Sequence, residues 1–298
     1  MAERRKKPAP GPAAAPAGAG KKKNNAVAAG AEIPVRGLTG VPADALPDAI
    51  PNTIPNTIPN TIPDAIPNTI PDALPDALSD VLTDAEKRER MAEIVSRLGV
   101  RYPDAECALE YGGEGWRLLI MGRLSAQCTD ARVNIVCREL FSRFPTLDDV
   151  ADAPIEDLER IIRPCGLYRT KAASVKEACG ILRERYGGQV PTDMESLLSL
   201  PGVGRKIANL LLGDIYGIPG IVADTHCIRL GGRFGMYPES LTDPAKVERI
   251  LSAIVEPSEQ TALCHRLVDF GRDVCTARAP KCGECPLGDV CEHRRRGG

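Results

Sequence analysis

Apolar residues recur every three or four positions through most of the chain after residue 83. In the first such segment Met91, Ile94 and Leu98 fall on one helical face, and Gly99 supplies a stop signal. Residues 83–86, which read TDAE, have the form of a capping box and predict that a helix starts there. Alternating patterns typical of half-buried strands are scarce. The chain over 83–298 is therefore predicted to be an all-α domain of about nine or ten helices.

The first 82 residues do not predict helices. Residues 1–45 form a basic arm rich in Ala, Pro and Gly, a composition that cannot bury enough apolar surface to fold. Residues 46–82 repeat every four positions as IPNT, IPDA or LPDA, and the repeated Pro excludes a helix. We expect a disordered arm and a semi-rigid, extended linker. The arm could attract nucleic acid without specificity, or it could be a plain solubilising tail.

Composition narrows the classes of protein to which the chain can belong. No run reaches the roughly eighteen apolar residues of a membrane span, and the N-terminal segment lacks the apolar core of a secretory signal. The eleven cysteines are scattered among predicted helices, which is typical of reduced thiols. We expect a soluble, cytoplasmic protein, associated with the nucleoid in a bacterium. The formal net charge of −2 neither requires nor excludes a polyanionic partner.

The segment LLSLPGVGRKIANLLLGDIYG, residues 197–217, predicts two helices joined by a tight turn. Pro201 ends the first helix, and the glycines of the turn permit the close approach of another chain. Unpaired amides and the positive end of the dipole make the start of the second helix an anion site. This helix-hairpin-helix pattern predicts phosphate contacts from Gly202, Val203, Gly204 and Arg205. A plain αα-hairpin is the alternative for the turn taken alone.

Lys206 follows the turn directly and lies in the first helical turn. A nucleophilic amine must be unprotonated, and both a helix N-terminus and partial burial disfavour the ammonium form. Asp224 is placed to cap the next helix, and an ionised carboxylate near a lysine can also stabilise positive charge on a sugar ring. From the residues alone, a phosphate-binding lysine and a simple helix cap remain alternatives.

Four cysteines close to the C-terminus, in CTARAPKCGECPLGDVC, have the spacing C-x6-C-x2-C-x5-C. Four thiols at this spacing could form two disulfides, a structural zinc site or an iron-sulfur cluster. A reduced cytosol argues against disulfides. Zinc sites usually pair two short knuckles, and only one is present here.

Five motifs occur together in one order: LSAQCTD at 124–130, GLYRTKA at 166–172, LPGVGRK at 200–206, ADTH at 223–226 and the four cysteines. In this combination the chain resembles endonuclease III, a bifunctional DNA glycosylase of base-excision repair, over residues 86–295. The resemblance implies a two-lobed helix-hairpin-helix glycosylase fold with a 4Fe-4S cluster loop at 275–291. It also implies a monomer that acts on double-stranded DNA carrying oxidised pyrimidines or abasic sites.

The same resemblance implies a role for each matched residue. Lys206 is the nucleophile that forms a Schiff base at C1′ and allows β-elimination, and Asp224 is its carboxylate partner. Gln127 and Leu167 enter the duplex where the damaged nucleotide is flipped out, since an amide and an apolar wedge can replace the pairing and stacking of the missing base. The cluster ligands are Cys275, Cys282, Cys285 and Cys291. Between them, Arg278 and Lys281 face DNA phosphate.

Some relatives suggest other functions. Adenine-specific mismatch glycosylases share the hairpin, the aspartate and the cluster but lack the lysine at position 206. A non-catalytic helix-hairpin-helix protein with a structural metal site is a further alternative. The sequence also departs from the family pattern at Gly122-Arg123, where many members have an apolar pair, and at Ile207, where Thr is common.

Overall fold

The computed structural model describes residues 82–297. The predicted arm, 1–45, and the predicted linker up to residue 81 lie outside the described residues. Within 82–297 the chain forms twelve α-helices and no strand, as an all-α domain requires. The helices are α1 Asp84–Arg101, α2 Gly115–Leu124, α3 Asp130–Arg143, α4 Leu147–Asp152, α5 Ile155–Ile162, α6 Tyr168–Tyr186, α7 Met194–Leu198, α8 Arg205–Tyr216, α9 Thr225–Arg233, α10 Pro244–Ile254, α11 Gln260–Asp273 and α12 Glu292–Arg295. Nine of these described helices have eight or more residues. The expected nine or ten was too few because α4, α7 and α12 are too short to show a period.

Helix α1 begins where the sequence predicts it. Thr83 is the N-cap, and its hydroxyl oxygen accepts a hydrogen bond of 3.3 Å from the Glu86 amide. The Glu86 carboxylate in turn accepts one of 2.7 Å from the Thr83 amide. Both partners of the capping box are therefore present, and free backbone donors at this helix end are satisfied.

Two separate hydrophobic cores divide the described chain into two lobes. The first core draws its residues from a single stretch between Leu109 and Leu212, and we call this part the contiguous lobe. The second combines Met91, Ile94 and Leu98 of α1 with residues between 221 and 291, and we call it the split lobe. This arrangement confirms the two-lobed fold that the resemblance implies.

The connection from α8 to α9 crosses from one lobe to the other. Helix α8 carries Lys206 near its start and ends at Tyr216, where Gly217 adopts a positive φ of 64° that favours glycine. Seven residues, 218–224, then lead to α9, so Asp224 stands at the entrance of a helix in the split lobe. The two predicted catalytic residues thus come from different lobes.

The structure also bears on membrane association. None of the described helices combines the length and the apolarity that a transmembrane span requires.

Candidate active site and nucleic-acid interface

Lys206 and Asp224 line the same cavity between the two lobes. Lys206 is the second residue of α8, whose N-cap is Gly204. The sequence predicted partial burial for this lysine, but the residue is exposed. Of the two features predicted around Lys206, the helix N-terminus is present. Burial by the described residues is not.

Asp224 caps α9, as predicted. Its Oδ1 accepts a hydrogen bond of 2.7 Å from the Cys227 amide. Its own amide donates 2.7 Å to the Val222 carbonyl, which fixes the turn before the helix. One carboxylate oxygen thus holds the residue in position, and the same side chain lines the cavity that contains Lys206. A capping role and a chemical role are compatible here.

Two further polar groups of this cavity were not assigned a role from the sequence. Asp130, the last residue of the LSAQCTD motif, lines the cavity and pairs with Arg272 at 2.5 Å. His265 also lines it and contacts Asp214 at 2.8 Å through Nε2. The place of Asp130 at the end of a recognised motif was an available signal. His265 had none, since its partner is 51 residues away in sequence.

The hairpin turn has the geometry that its glycines predict. Gly202 has φ 78°, and a Cβ at this position would lie 2.7 Å from Cδ of Arg123. The Val203 side chain is buried, and its amide donates 3.1 Å to the Leu200 carbonyl. Val203 therefore anchors the turn in the core, whereas Gly202 and Gly204 are exposed. The backbone of Gly202 and Gly204 is therefore accessible to a phosphate group, as the sequence predicts.

Arg205 is held by a carboxylate on α10. Its Nε and Nη2 donate to Glu248 at 2.9 and 2.5 Å. Burial alone would raise the pKa of Glu248, but hydrogen bonds from Arg205 and Asn209 outweigh it and leave this pKa below its ordinary value. Asn209 is itself buried and donates 2.9 Å to the Ile221 carbonyl. Together these contacts join the start of α8 to the loop that leads to Asp224.

The departures at Gly122-Arg123 and Ile207 have a common structural explanation. A Cβ on Gly122 would lie 3.3 Å from Cγ2 of Ile207, so the isoleucine occupies the space that a larger residue at 122 would need. All of this packing faces the Lys206 cavity, which both Gly122 and Ile207 line. Arg123 turns away and donates 2.9 Å to the Ser174 hydroxyl, next to Gly202. Arg123 and Ser174 thus pack against the hairpin turn at Gly202.

Gln127 and Leu167 share an unusual backbone conformation. Among the described residues they alone have a positive φ without being glycine, at 55° and 47°. Both are exposed, and Leu167 retains 60% of its surface accessible. An exposed leucine in a strained turn contributes little to packing, so its position favours a role in contact with another molecule.

The four cysteines at 275–291 surround one cavity in the split lobe. Cys275 and Cys291 are buried, and Cys282 and Cys285 are partly buried. Within the described chain no three His, Cys, Asp or Glu side chains come close enough together to hold a single metal ion. A 4Fe-4S cluster takes four thiolates on four separate irons, so its ligands need not converge on one point. Four thiols around one cavity are the donor set that such a cluster requires.

Arg278 and Lys281 lie in the loop between the first two cysteines, and both are exposed. The Lys281 ammonium is 3.8 Å from the Asp273 carboxylate, and the Lys281 amide donates 3.0 Å to the Val274 carbonyl. The loop is therefore tied to the end of α11 and carries two accessible cations.

Comparison with known proteins places these features in a family. Residues 120–257 match the family described as HhH-GPD superfamily base excision DNA repair protein, and residues 275–291 match the iron-sulfur binding domain of endonuclease III. Endonuclease III of Synechocystis sp. is 40% identical over 208 residues, which are 70% of this chain and 94% of that protein. Endonuclease III of Bacillus subtilis is 38% identical over 204 residues, 68% of this chain and 91% of the relative.

A solved structure of a trapped endonuclease III–DNA covalent intermediate is similar as well. It shares 37% sequence identity with a TM-score of 0.67, and the match covers 73% of this chain and 99% of that chain. The iron-sulfur match begins at the first of the four cysteines and ends at the last. It confirms the predicted 4Fe-4S cofactor and argues against the alternative of zinc.

Proposed function

The chain belongs to the endonuclease III family of base-excision DNA glycosylases, and on that premise we propose that it removes oxidised pyrimidines from duplex DNA and then nicks the strand as an abasic-site lyase. The observation that carries the proposal is the cavity shared by Lys206 and Asp224. The similarity to a solved covalent endonuclease III–DNA intermediate supports a nucleophile that bonds to DNA.

In the proposed reaction the unprotonated Nζ of Lys206 attacks C1′ of a nucleotide turned out of the duplex. The bond from C1′ to the base breaks, and the base leaves with the bonding electrons and takes up a proton. The amine then loses a proton, and the C1′–O4′ bond breaks as O4′ takes up a proton. The sugar ring opens, and a protonated imine remains between Lys206 and C1′. Loss of a proton from C2′ expels the 3′-phosphate and cleaves the strand.

Asp224 acts on the charge that develops during base release. Its carboxylate is fixed by the Cys227 amide and faces the cavity of Lys206. A preorganised negative charge stabilises a sugar that becomes positive, and it costs little reorganisation because the cap already holds it. It can also take the proton that Lys206 releases.

Recognition of the duplex uses the exposed features around the cavity. Gln127 and Leu167 enter the gap left by the flipped nucleotide, and Gly202 and Gly204 approach a phosphate. When bound, the cluster cross-links loop 275–291 through its four thiolates and so shapes the segment that presents Arg278 and Lys281 to DNA.

The test is borohydride trapping on a duplex that contains thymine glycol. The wild-type chain is expected to give a covalent protein–DNA adduct, and Lys206→Ala to give none. Lys246→Ala is the matched control, because Lys246 is also exposed in the first turn of a helix but does not line the cavity. Adduct formation by Lys206→Ala at the wild-type level would remove Lys206 as the nucleophile.

Asp224→Asn separates the capping role from the chemical role. Asparagine caps helices about as well as aspartate, so the variant should fold normally. Base release should slow by a factor of about 10²–10³, the usual loss when one electrostatic stabiliser is removed. Single-turnover excision measures this, and a wild-type rate would reduce Asp224 to a helix cap. Base release without any adduct in the wild type would instead indicate a monofunctional glycosylase.

A further inference from the structure

Lys171 is a completely buried lysine near the start of α6. Its side chain has no accessible surface. Its Nζ donates to three backbone carbonyls, those of Leu124 at 2.8 Å, Ala126 at 2.7 Å and Cys165 at 2.8 Å. Leu124 and Ala126 are 47 and 45 residues from Lys171, and Cys165 lies outside α6. The ammonium therefore joins segments that are separate along the chain.

The geometry of this cradle requires the charged form of the lysine. An ammonium has three N–H donors and no acceptor, which matches three carbonyls. A neutral amine would direct its lone pair at one of them. Burial lowers the pKa of Lys171, and the neighbouring Cys165 and Cys128 thiols act in the opposite direction. Leu124 is the last residue of α2, where the negative end of the helix dipole also favours a cation.

The carbonyls belong to the two strained turns of the nucleic-acid interface. Ala126 directly precedes Gln127, and Cys165 stands two residues before Leu167. The Lys171 amide also donates 3.0 Å to the Leu167 carbonyl. A positive φ in a residue other than glycine costs about 1–3 kcal/mol and persists only where the surroundings enforce it. The Lys171 ammonium therefore links both turns directly.

We propose that Lys171 is a positioning residue that fixes the Gln127 and Leu167 turns relative to each other, so that they enter damaged DNA as one preorganised unit. This inference rests on the proposed function, which assigns both side chains to the gap in the duplex. Lys171 is buried beneath these turns and would not touch DNA. Its effect would be confined to binding at a gap, because phosphate contacts elsewhere do not depend on the turns.

The test compares Lys171→Met with Lys176→Met. Lys176 lies on the same helix and also clamps two backbone carbonyls, Ala151 at 2.8 Å and Ala153 at 2.6 Å, but these belong to α4 and the residue that follows it. Dissociation constants are measured for a duplex with a non-cleavable tetrahydrofuran abasic analogue and for the same undamaged duplex. Circular dichroism and urea unfolding establish that each variant is folded under the binding conditions.

Lys171→Met should reduce the preference for the abasic analogue at least tenfold and change binding to undamaged duplex by less than twofold. Lys176→Met should change neither by more than twofold. In a background that carries both Gln127→Ala and Leu167→Ala, Lys171→Met should reduce the preference by less than a further twofold, because both side chains through which it acts are already absent. If Lys171→Met does not fold, Lys171→Arg serves under the same criteria, since it keeps the charge but cannot place three donors around one nitrogen.

Each other outcome contradicts the inference. If Lys171→Met lost binding to both duplexes equally, Lys171 would have a general structural role. If Lys171→Met kept the preference for the abasic analogue, the coupling would be ruled out, and the proposed function would be unaffected. A wild-type chain without any preference for the abasic analogue would contradict both the proposed insertion and this coupling. The binding assay needs no bond breaking, so a failure of Lys206 chemistry leaves it interpretable.

Discussion

Asn209 links the helix that carries Lys206 to the loop that carries Asp224, and its replacement by leucine is a stringent test of the site. The side chain is 4% exposed and donates 2.9 Å to the buried Ile221 carbonyl. Asn209 also helps to hold the pKa of the Glu248 carboxylate below its ordinary value. Leucine has a similar volume, so the cavity term is small and the change removes chiefly polar interactions.

The magnitude follows from the hydrogen bond to Ile221 that the leucine side chain cannot make. A buried carbonyl left without a donor costs about 1–3 kcal/mol. Asn209→Leu should therefore lower the free energy of unfolding by about 1–3 kcal/mol. Most domains have about 5–15 kcal/mol, so the variant should remain folded at low temperature.

Urea unfolding measures the stability, and single-turnover excision on folded protein measures the chemistry. Excision should slow as well, because Ile221 lies three residues before Asp224 and its carbonyl loses its anchor. Gln260→Leu is the control: this buried amide donates to Val255 at 3.1 Å and Ser252 at 3.3 Å, and none of the three residues lines the Lys206 cavity. It should lose stability without loss of excision rate.

Two results would refute the reasoning. A loss of stability below about 1 kcal/mol would mean that the Ile221 carbonyl is readily satisfied without Asn209. Equal excision rates in Asn209→Leu and Gln260→Leu would mean that the contact does not position Asp224.

Three further predictions concern acid stability, the hairpin and the cluster. The folded-state pKa of Glu248 is below its ordinary value of 4.5, so its contribution to stability is present above pH 4.5 and is lost as the pH falls through the lower, folded value. Urea unfolding from pH 6 to 3 should accordingly show a smaller acid-induced loss for Glu248→Gln than for wild type, and an identical loss would exclude this linkage. Gly202→Ala, at a positive φ, should lower stability by about 1–2 kcal/mol and weaken binding to undamaged duplex. Gly204→Ala, with an ordinary φ and open space at Cβ, should lower the stability less, because only the better capping by glycine is lost. Cys291→Ala should reduce iron content, the yellow-brown absorption and thermal stability together, and full iron content would remove Cys291 as a ligand.

The elements that the sequence predicts well are those determined by neighbouring residues. The capping box at Thr83, the turn at Gly202 and the Asp224 cap each involve residues three or fewer positions apart, so their signals are local. The order of the five motifs along the chain was equally informative, since it indicates the family and the cluster without any knowledge of tertiary contacts. The burial of the Val203 side chain had no such signal, because a turn residue can face either a partner or the core, and a pattern does not distinguish them.

Long-range contacts were not predictable in the same way. Nothing near Lys171 indicates that three carbonyls, two of them more than forty residues away, converge on its ammonium. The strained backbone of Gln127 had no sequence signal, because a positive φ is usually marked by glycine. The departures from the family pattern at Gly122 and Ile207 are explained by their contact in space, which their positions in the sequence do not indicate.

The split lobe has a consequence for the order of assembly during synthesis. The contiguous lobe has all its core residues once the chain reaches Leu212, so it can fold while the rest is still being translated. Helix α1 is made first but packs against α10 and α11, and its apolar face has no partner until they emerge. The lobe with the cluster loop is therefore completed last. If translation is slow between residues 101 and 260, the apolar face of α1 stays exposed for longer. The chain should then depend more strongly on chaperones that cover exposed helical faces.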